Sequence, residues 1–156
     1  MEDINKEELL DGKVVTLGSQ TINHYRVCRN VLREIERNLT DRNGDCKAFG
    51  EGIDVYLDND IVIPDALVVC NKNIIKNRGI MGVPDLIVEV LSPGTETKDR
   101  GYKKELYERS GVKEYWIVDI NNRAIEVYKL IYRKYVIGKS RITINADDIF
   151  MDLLTE

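Results

Sequence analysis

The 156 residues include only three cysteines, three prolines, one tryptophan and one histidine, and each scarcity narrows the reading. Cys28, Cys46 and Cys70 are odd in number and widely spaced, which suggests neither a disulfide framework nor a cysteine-rich zinc cluster. Each sits beside apolar neighbours and reads as a small buried residue. No apolar run approaches the ~20 residues of a membrane span. The opening, MEDINKEELLDGK, is acidic and lacks the basic and apolar regions of a secretory signal. A cytoplasmic protein without a membrane partner is expected. Repeats, low-complexity tracts and interdomain linkers are missing too, so residues 1–156 read as a single domain large enough for a core without staples. Positive charge is the other shortage: 23 lysines and arginines face 27 acids, for a net charge of −4. Nucleic-acid affinity comes largely from neutralising phosphates, so this acidity argues against tight non-specific DNA binding. A metal-binding cluster of acids would itself lower the net charge.

What is present is patterned. Residues 4 to 18 read as a short helical lead into a strand, with Asp11-Gly12 as a turn and Lys13 to Leu17 as the strand. Ser19 to Asn23 offers several N-caps for a long helix ending near Leu39, with Ile22, Cys28, Val31, Leu32, Ile35 and Leu39 at helical spacing. His24 lies one turn before Cys28 and points with the apolar stripe. Asn43-Gly44 breaks the helix. CKAFGEGIDVYL favours a strand weakened by Gly50 and Gly52, and Asp58-Asn59-Asp60 turns it into IVIPDALVVC as a hairpin. Pro64 removes one ladder donor there, so a bulge or edge position is expected beside Asp65. Residues 71 to 82 form a basic connector. The strand from Asp85 to Leu91 follows, stopped by Ser92-Pro93-Gly94. Thr97 can cap a helix from about Lys98 to Ser110, closed by Gly111. Glu114 to Ile120, Ala124 to Leu130, Tyr132 to Ser140 and Arg141 to Ile144 read as strands, and ADDIFMDLL as a last helical turn. The fold class is therefore α/β or mixed α+β, a central mixed sheet flanked by helices with extra C-terminal strands. The Glu89 strand and the strand after the helix are expected to run parallel.

Two acids stand where an apolar residue would be expected: Asp65 among Ile61, Ile63, Leu67 and Val69, and Glu89 between Ile87 and Leu91. Both faces of each strand are apolar, and isolated buried charges are costly unless paired. If the strands are neighbours, the two carboxylates can meet across the ladder and hold one hard cation. Asp85 is the rival of Asp65, but four residues along one strand place it roughly 13 Å from Glu89. Asp99, Lys103 and Tyr107 are spaced by four and share a helix face. A lysine there could stabilise developing negative charge or position an attacking water, which suits phosphodiester hydrolysis.

The string PDLIVEVLSPGTETKDRGYKKELYERSGVKEYWIVD, with IPDALVVCN and LLDGKVV before it, resembles a large bacterial family of restriction-endonuclease-like proteins, the Uma2 type, within the PD-(D/E)xK nuclease superfamily. The resemblance runs from about Leu9 to Leu154. It implies a restriction-endonuclease-like core and Mg²⁺-dependent DNA cleavage, with Mn²⁺ as the alternative cofactor and DNA as the substrate. On the motif, Asp65 matches the metal-binding aspartate and Glu89 the acid of the (D/E)xK element, so these two are the implied metal ligands. Leu91 stands where the motif's lysine belongs, and Lys103 on the following helix is the candidate replacement. His24 matches a histidine common in the family's first helix and joins the implied catalytic set of Asp65, Glu89 and Lys103. A homodimer is compatible with this fold.

Plainer readings stand beside each of these. Asp65 and Glu89 could be acids satisfied by backbone amides or a lysine. Lys103 could be one more solvated charge, or half of an i,i+4 pair with Asp99. His24 could be a hydrogen-bonded core histidine, and Tyr115 and Trp116 core aromatics. Lys72, Lys76 and Arg78 could be a solvated loop. The chain could then be a catalytically silent module that binds DNA or protein, or a hydrolase of another phosphate ester.

Overall fold

Strands apolar on both faces must be covered on both sides, and two different layers do this. The computed structural model describes residues 6–42 and 44–155, with only the backbone of residues 40–42. In chain order the elements are β1 (Glu7–Leu10), β2 (Lys13–Thr16), α1 (Ile22–Arg42), β3 (Lys47–Phe49), β4 (Val55–Leu57), β5 (Asp60–Val62) and β6 (Ala66–Val69). A 3₁₀ turn at Lys72–Ile74 leads into β7 (Ile75–Lys76), β8 (Gly79–Ile80) and β9 (Leu86–Val90). Then come α2 (Glu96–Arg100), α3 (Tyr102–Ser110), β10 (Glu114–Asp119), β11 (Ala124–Ile131), β12 (Lys134–Ile137) and α4 (Ala146–Ile149). Among the described residues no helix is long and apolar enough to cross a membrane.

The strands form two mixed sheets, ordered β2-β1-β5-β4-β8-β7 and β12-β11-β10-β9-β6-β3. The fold is mixed α+β as the pattern predicts, but with two sheets in place of one central sheet. In the second sheet β9 and β10 run parallel, as expected for strands joined through helices, while β6 pairs antiparallel with β9. Alternation along these strands serves two cores. Ala66, Val68, Leu86, Val88, Val90, Trp116 and Val118 pack under α1 and α4 with Val27, Cys28, Val31 and Ile35. Leu67, Val69, Ile87, Leu91, Tyr115 and Ile117 face the first sheet and α3, meeting Leu10, Val55, Val62, Leu106 and Tyr107.

Several local expectations change. Residues 6–10 of the expected helical lead are a strand, because Asp11 (φ 51°) and Gly12 (φ 76°) make a two-residue turn that folds β1 onto β2; residues 4 and 5 lie outside the described part. CKAFGEGIDVYL is two strands in different sheets, parted by the turn at Glu51-Gly52. IVIPDALVVC likewise breaks at Ile63-Pro64-Asp65, so the chain leaves the first sheet as β5 and enters the second as β6. The Asp58-Asn59 hairpin between β4 and β5 does form. The basic connector holds the β7–β8 hairpin. The predicted helix at 98–110 is two helices, α2 and α3, parted at Gly101. Arg141 to Ile144 is not a strand. Of the Asn43-Gly44 breaker, Asn43 lies outside the described residues. Cys46 and Cys70 are disulfide-bonded, against expectation, while Cys28 is free and buried. Their places one step beyond the Lys47–Val69 cross-strand pair make them neighbours, a long-range fact that spacing cannot supply.

The helix that carries Lys103 ends where predicted, at Gly111, whose φ of 93° is left-handed and which donates to the carbonyls of Tyr107 and Glu108. A Cβ added there meets no atom within 4 Å, so only backbone conformation opposes a side chain. Gly111→Ala is expected to lower unfolding free energy by about 1–2 kcal/mol in urea titration.

Candidate active site

Asp65 is placed by the break between sheets. It precedes Ala66, which pairs with Val88, so it falls across the ladder from Glu89. Its N–H donates to the Val88 carbonyl (3.1 Å) and faces Glu89 Oε1 (3.3 Å). Its carboxylate Oδ2 accepts from the Val90 N–H at 2.6 Å. The two acids singled out by pattern therefore meet at one junction. Asp85 does not join them. Its Oδ1 accepts from the Cys70 N–H and its Oδ2 pairs with Lys113 at 3.3 Å, fixing the start of β9.

Lys103 comes to the same junction from above the sheet. The helical spacing that aligns Asp99, Lys103 and Tyr107 turns all three inward, and all are buried. The Lys103 ammonium donates to Glu89 Oε2 at 2.8 Å and pairs with Glu8 Oε1 at 2.9 Å and Asp99 Oδ1 at 3.8 Å. The Tyr107 hydroxyl donates to Glu89 Oε2 at 3.0 Å. Tyr115, beneath, donates to the Asp99 carbonyl at 2.8 Å and holds α2 against the sheet. Glu8 is the member sequence reasoning missed. In β1 it alternates inward with Leu10, and its Oε2 accepts from the Ile63 N–H at 2.7 Å. An acid two places before a core leucine was a signal, but only for a segment read as a strand.

His24 approaches from the opposite face. The Thr21 hydroxyl caps α1 by accepting from the His24 N–H at 3.1 Å, which sets the first turn. The ring Nε2 lies 2.9 Å from the Val90 carbonyl, to which it can donate, and 3.8 Å from Asp65 Oδ2. Nδ1 lies 2.8 Å from Gln20 Oε1 and 3.6 Å from Cys28 Sγ. One ligand atom from each of His24, Cys28, Glu51 and Asp65 lies within 4.8 Å of the others. Lys72, by contrast, pairs with exposed Asp45, and Arg78 covers the Tyr56 ring.

Three carboxyls thus share one buried ammonium, and Asp65 lies beside them without pairing to it. Burial works against the charge on Lys103, but Glu89, Glu8 and Asp99 outweigh it and hold the proton far above lysine's usual range. Burial and then the Glu89 charge raise Asp65 well above an ordinary carboxyl. The same two causes push Asp99 up to about 8, and burial leads the upward shift of Glu8. In folded protein without a cation, Asp99 therefore keeps a proton that the unfolded chain releases near its ordinary 3.8. The native state binds more protons across that window, so stability is full below it and falls as pH rises towards about 8. In EDTA the thermal midpoint is expected to drop across this range, with a shallower slope in Asp99→Asn; a midpoint that rises would contradict the site's electrostatics.

The family model described as Uma2, putative restriction endonuclease, matches residues 1–153. An uncharacterized protein of Synechocystis sp. is 32% identical over 126 residues, covering 79% of this chain and 65% of that protein, so the chain matches a little under two thirds of that relative's length. A crystal structure of a putative nuclease belonging to DUF820 from Anabaena variabilis superposes with a TM-score of 0.75 at 19% identity, over 96% of this chain and 92% of that one. At that identity the likeness speaks for the fold alone. With its model matched along almost the whole sequence, the chain belongs to the Uma2 family.

Proposed function

We propose that the protein is a Mg²⁺-dependent DNA endonuclease, with Asp65 and Glu89 as metal ligands, Lys103 as the charged assistant and His24 as a positioning residue. The observation that carries this reading is the excess of buried carboxyl over buried ammonium at one junction. The donor set fits a hard divalent ion. Its ligands are carboxylate oxygens, and the raised proton affinities of Asp65, Glu8 and Asp99, due first to burial and then to the Glu89 charge, are what a bound cation would counter. When bound, such an ion supplies positive charge against that gathering on a phosphodiester's oxygens.

The chain's own residues divide the remaining work. Lys103 holds its proton too firmly to act as a base, so its N–H groups orient an attacking water or stabilise the charge of the pentacovalent phosphate. Glu8 and Asp99 fix its ammonium between β1 and α2, and Tyr107 fixes the Glu89 oxygen that Lys103 also binds. His24, donating to the Val90 carbonyl, holds α1 against the end of β9 and keeps Asp65 in place. Solvent reaches the junction from this side, where the His24 and Asp65 side chains are 12% and 19% exposed. DNA would approach there.

A second reading has its own support. Both Glu89 oxygens already accept hydrogen bonds, from Lys103 and Tyr107 on one side and the Asp65 N–H on the other. A chain satisfied in this way could serve as a silent DNA- or protein-binding module.

Supercoiled and linear DNA with Mg²⁺ or Mn²⁺ separates the two. Wild type is expected to nick or cut, and Asp65→Ala and Glu89→Ala to lose cleavage. Lys103→Ala is expected to keep metal affinity and lose about 10²–10³-fold in turnover. Metal-independent binding without cleavage would favour the silent module.

A further inference from the structure

The site's second face has a different chemistry from its first. We infer that His24, Cys28, Glu51 and Asp65 form a site for a thiophilic divalent ion of the zinc class, separate in donor type from the all-oxygen set around Glu89. The inference shares Asp65 with the proposed nuclease centre but does not depend on DNA cleavage.

Three segments converge on it. His24 and Cys28 stand one turn apart on α1, Glu51 lies in the turn after β3, and Asp65 lies in the break before β6. Together they offer one imidazole nitrogen, one sulfur and two carboxylates, all within 4.8 Å of one another. Donors around a tetrahedral ion at zinc distances stand roughly 3.3–3.7 Å apart. The Cys28 Sγ–His24 Nδ1 separation of 3.6 Å already meets that spacing; if the ring instead ligates through Nε2, its 3.8 Å to Asp65 Oδ2 nearly does. Whichever ring nitrogen takes the ion, the other has an oxygen partner, the Val90 carbonyl at 2.9 Å or the Gln20 amide at 2.8 Å. A ligating histidine is usually oriented by such an outer bond. Val27, Val31 and Val90 of the core beneath shield the sulfur, while partly exposed Asp65 and Glu51 leave an entry path. Sulfur selects the ion: Mg²⁺ prefers oxygen alone, whereas zinc-class ions take mixed nitrogen, sulfur and oxygen donors.

Cys28 is the free cysteine among the described residues, so a thiolate-to-metal signal reports on it. Titrating the metal-free full-length protein with Co²⁺ is expected to give one ion per chain with tetrahedral visible bands and a sulfur-to-cobalt charge-transfer band. Zn²⁺ should displace the signal, and a large excess of Mg²⁺ should not. Cys28→Ser should abolish the charge-transfer band, and a Cys46→Ala/Cys70→Ala variant should keep it. Glu51→Gln, at a half-buried turn, should weaken Co²⁺ by at least about tenfold, the loss that even outer partners produce, with an unchanged thermal midpoint checking that the variant is folded. The inference is overturned by wild type without a charge-transfer band, by a band that survives Cys28→Ser, or by unchanged affinity in Glu51→Gln. Co²⁺ bound in this way by a protein that cuts no DNA would leave the inference standing and remove only the nuclease reading.

Discussion

The buried ammonium of Lys103 constrains everything around it. Isolated, it could not remain charged at 4% exposure. The pairing ties together β1 through Glu8, β9 through Glu89 and α2 through Asp99, elements from both sheets and the helical layer. Such clusters seldom add net stability, since an apolar replacement of similar volume often does as well or better. Stability therefore does not explain why three acids gather on one lysine; the proposed metal site, which would use the surplus of carboxyl groups, supplies a reason.

The break at Ile63-Pro64-Asp65 turns that charge into a site. Pro64 has no N–H to give a ladder, and the residues on either side are held from outside the strand: the Ile63 N–H by Glu8, the Asp65 N–H by Val88 and Glu89. One strand thus becomes two. The first remains with β1 and β4, while the second pairs with β9 and starts with Asp65 across from Glu89. An unbroken strand could not bring Glu8 from the first sheet and Asp65 from the second to the same point. The proline that reads as a local defect moves the chain between layers.

What the sequence made legible follows from periodicity. Asp65 and Glu89 stand out because each interrupts an apolar strand, and the period of four brings Asp99, Lys103 and Tyr107 to one face without any knowledge of what they face. The parallel pairing of β9 and β10 follows from the helical connection. Long-range placement was not legible. Glu8 looked like part of a helical lead because nothing local distinguishes a four-residue strand closed by Asp11-Gly12 from a charged turn. Cys46 and Cys70 meet only through the β3–β6 register. Glu51 belongs to a turn whose position depends on two strands joining different sheets. In each case the deciding partner lies far away in sequence.

Asp65 is where the two donor sets meet, and this makes them competitors. Oδ2 is fixed by the Val90 N–H and faces His24, while the Glu89 charge acts on the same carboxyl from the other side. An ion on the oxygen side would be held by Asp65 with Glu89, and one on the thiol side by Asp65 with His24, Cys28 and Glu51. Without any ion, burial and then Asp65 raise the Cys28 thiol well above its usual range, so a metal bound there would have to displace its proton. Sulfur itself disfavours magnesium, which prefers oxygen donors, and suits a zinc-class ion. Asp65 is the one residue common to both proposed donor sets, so the two could not be filled independently.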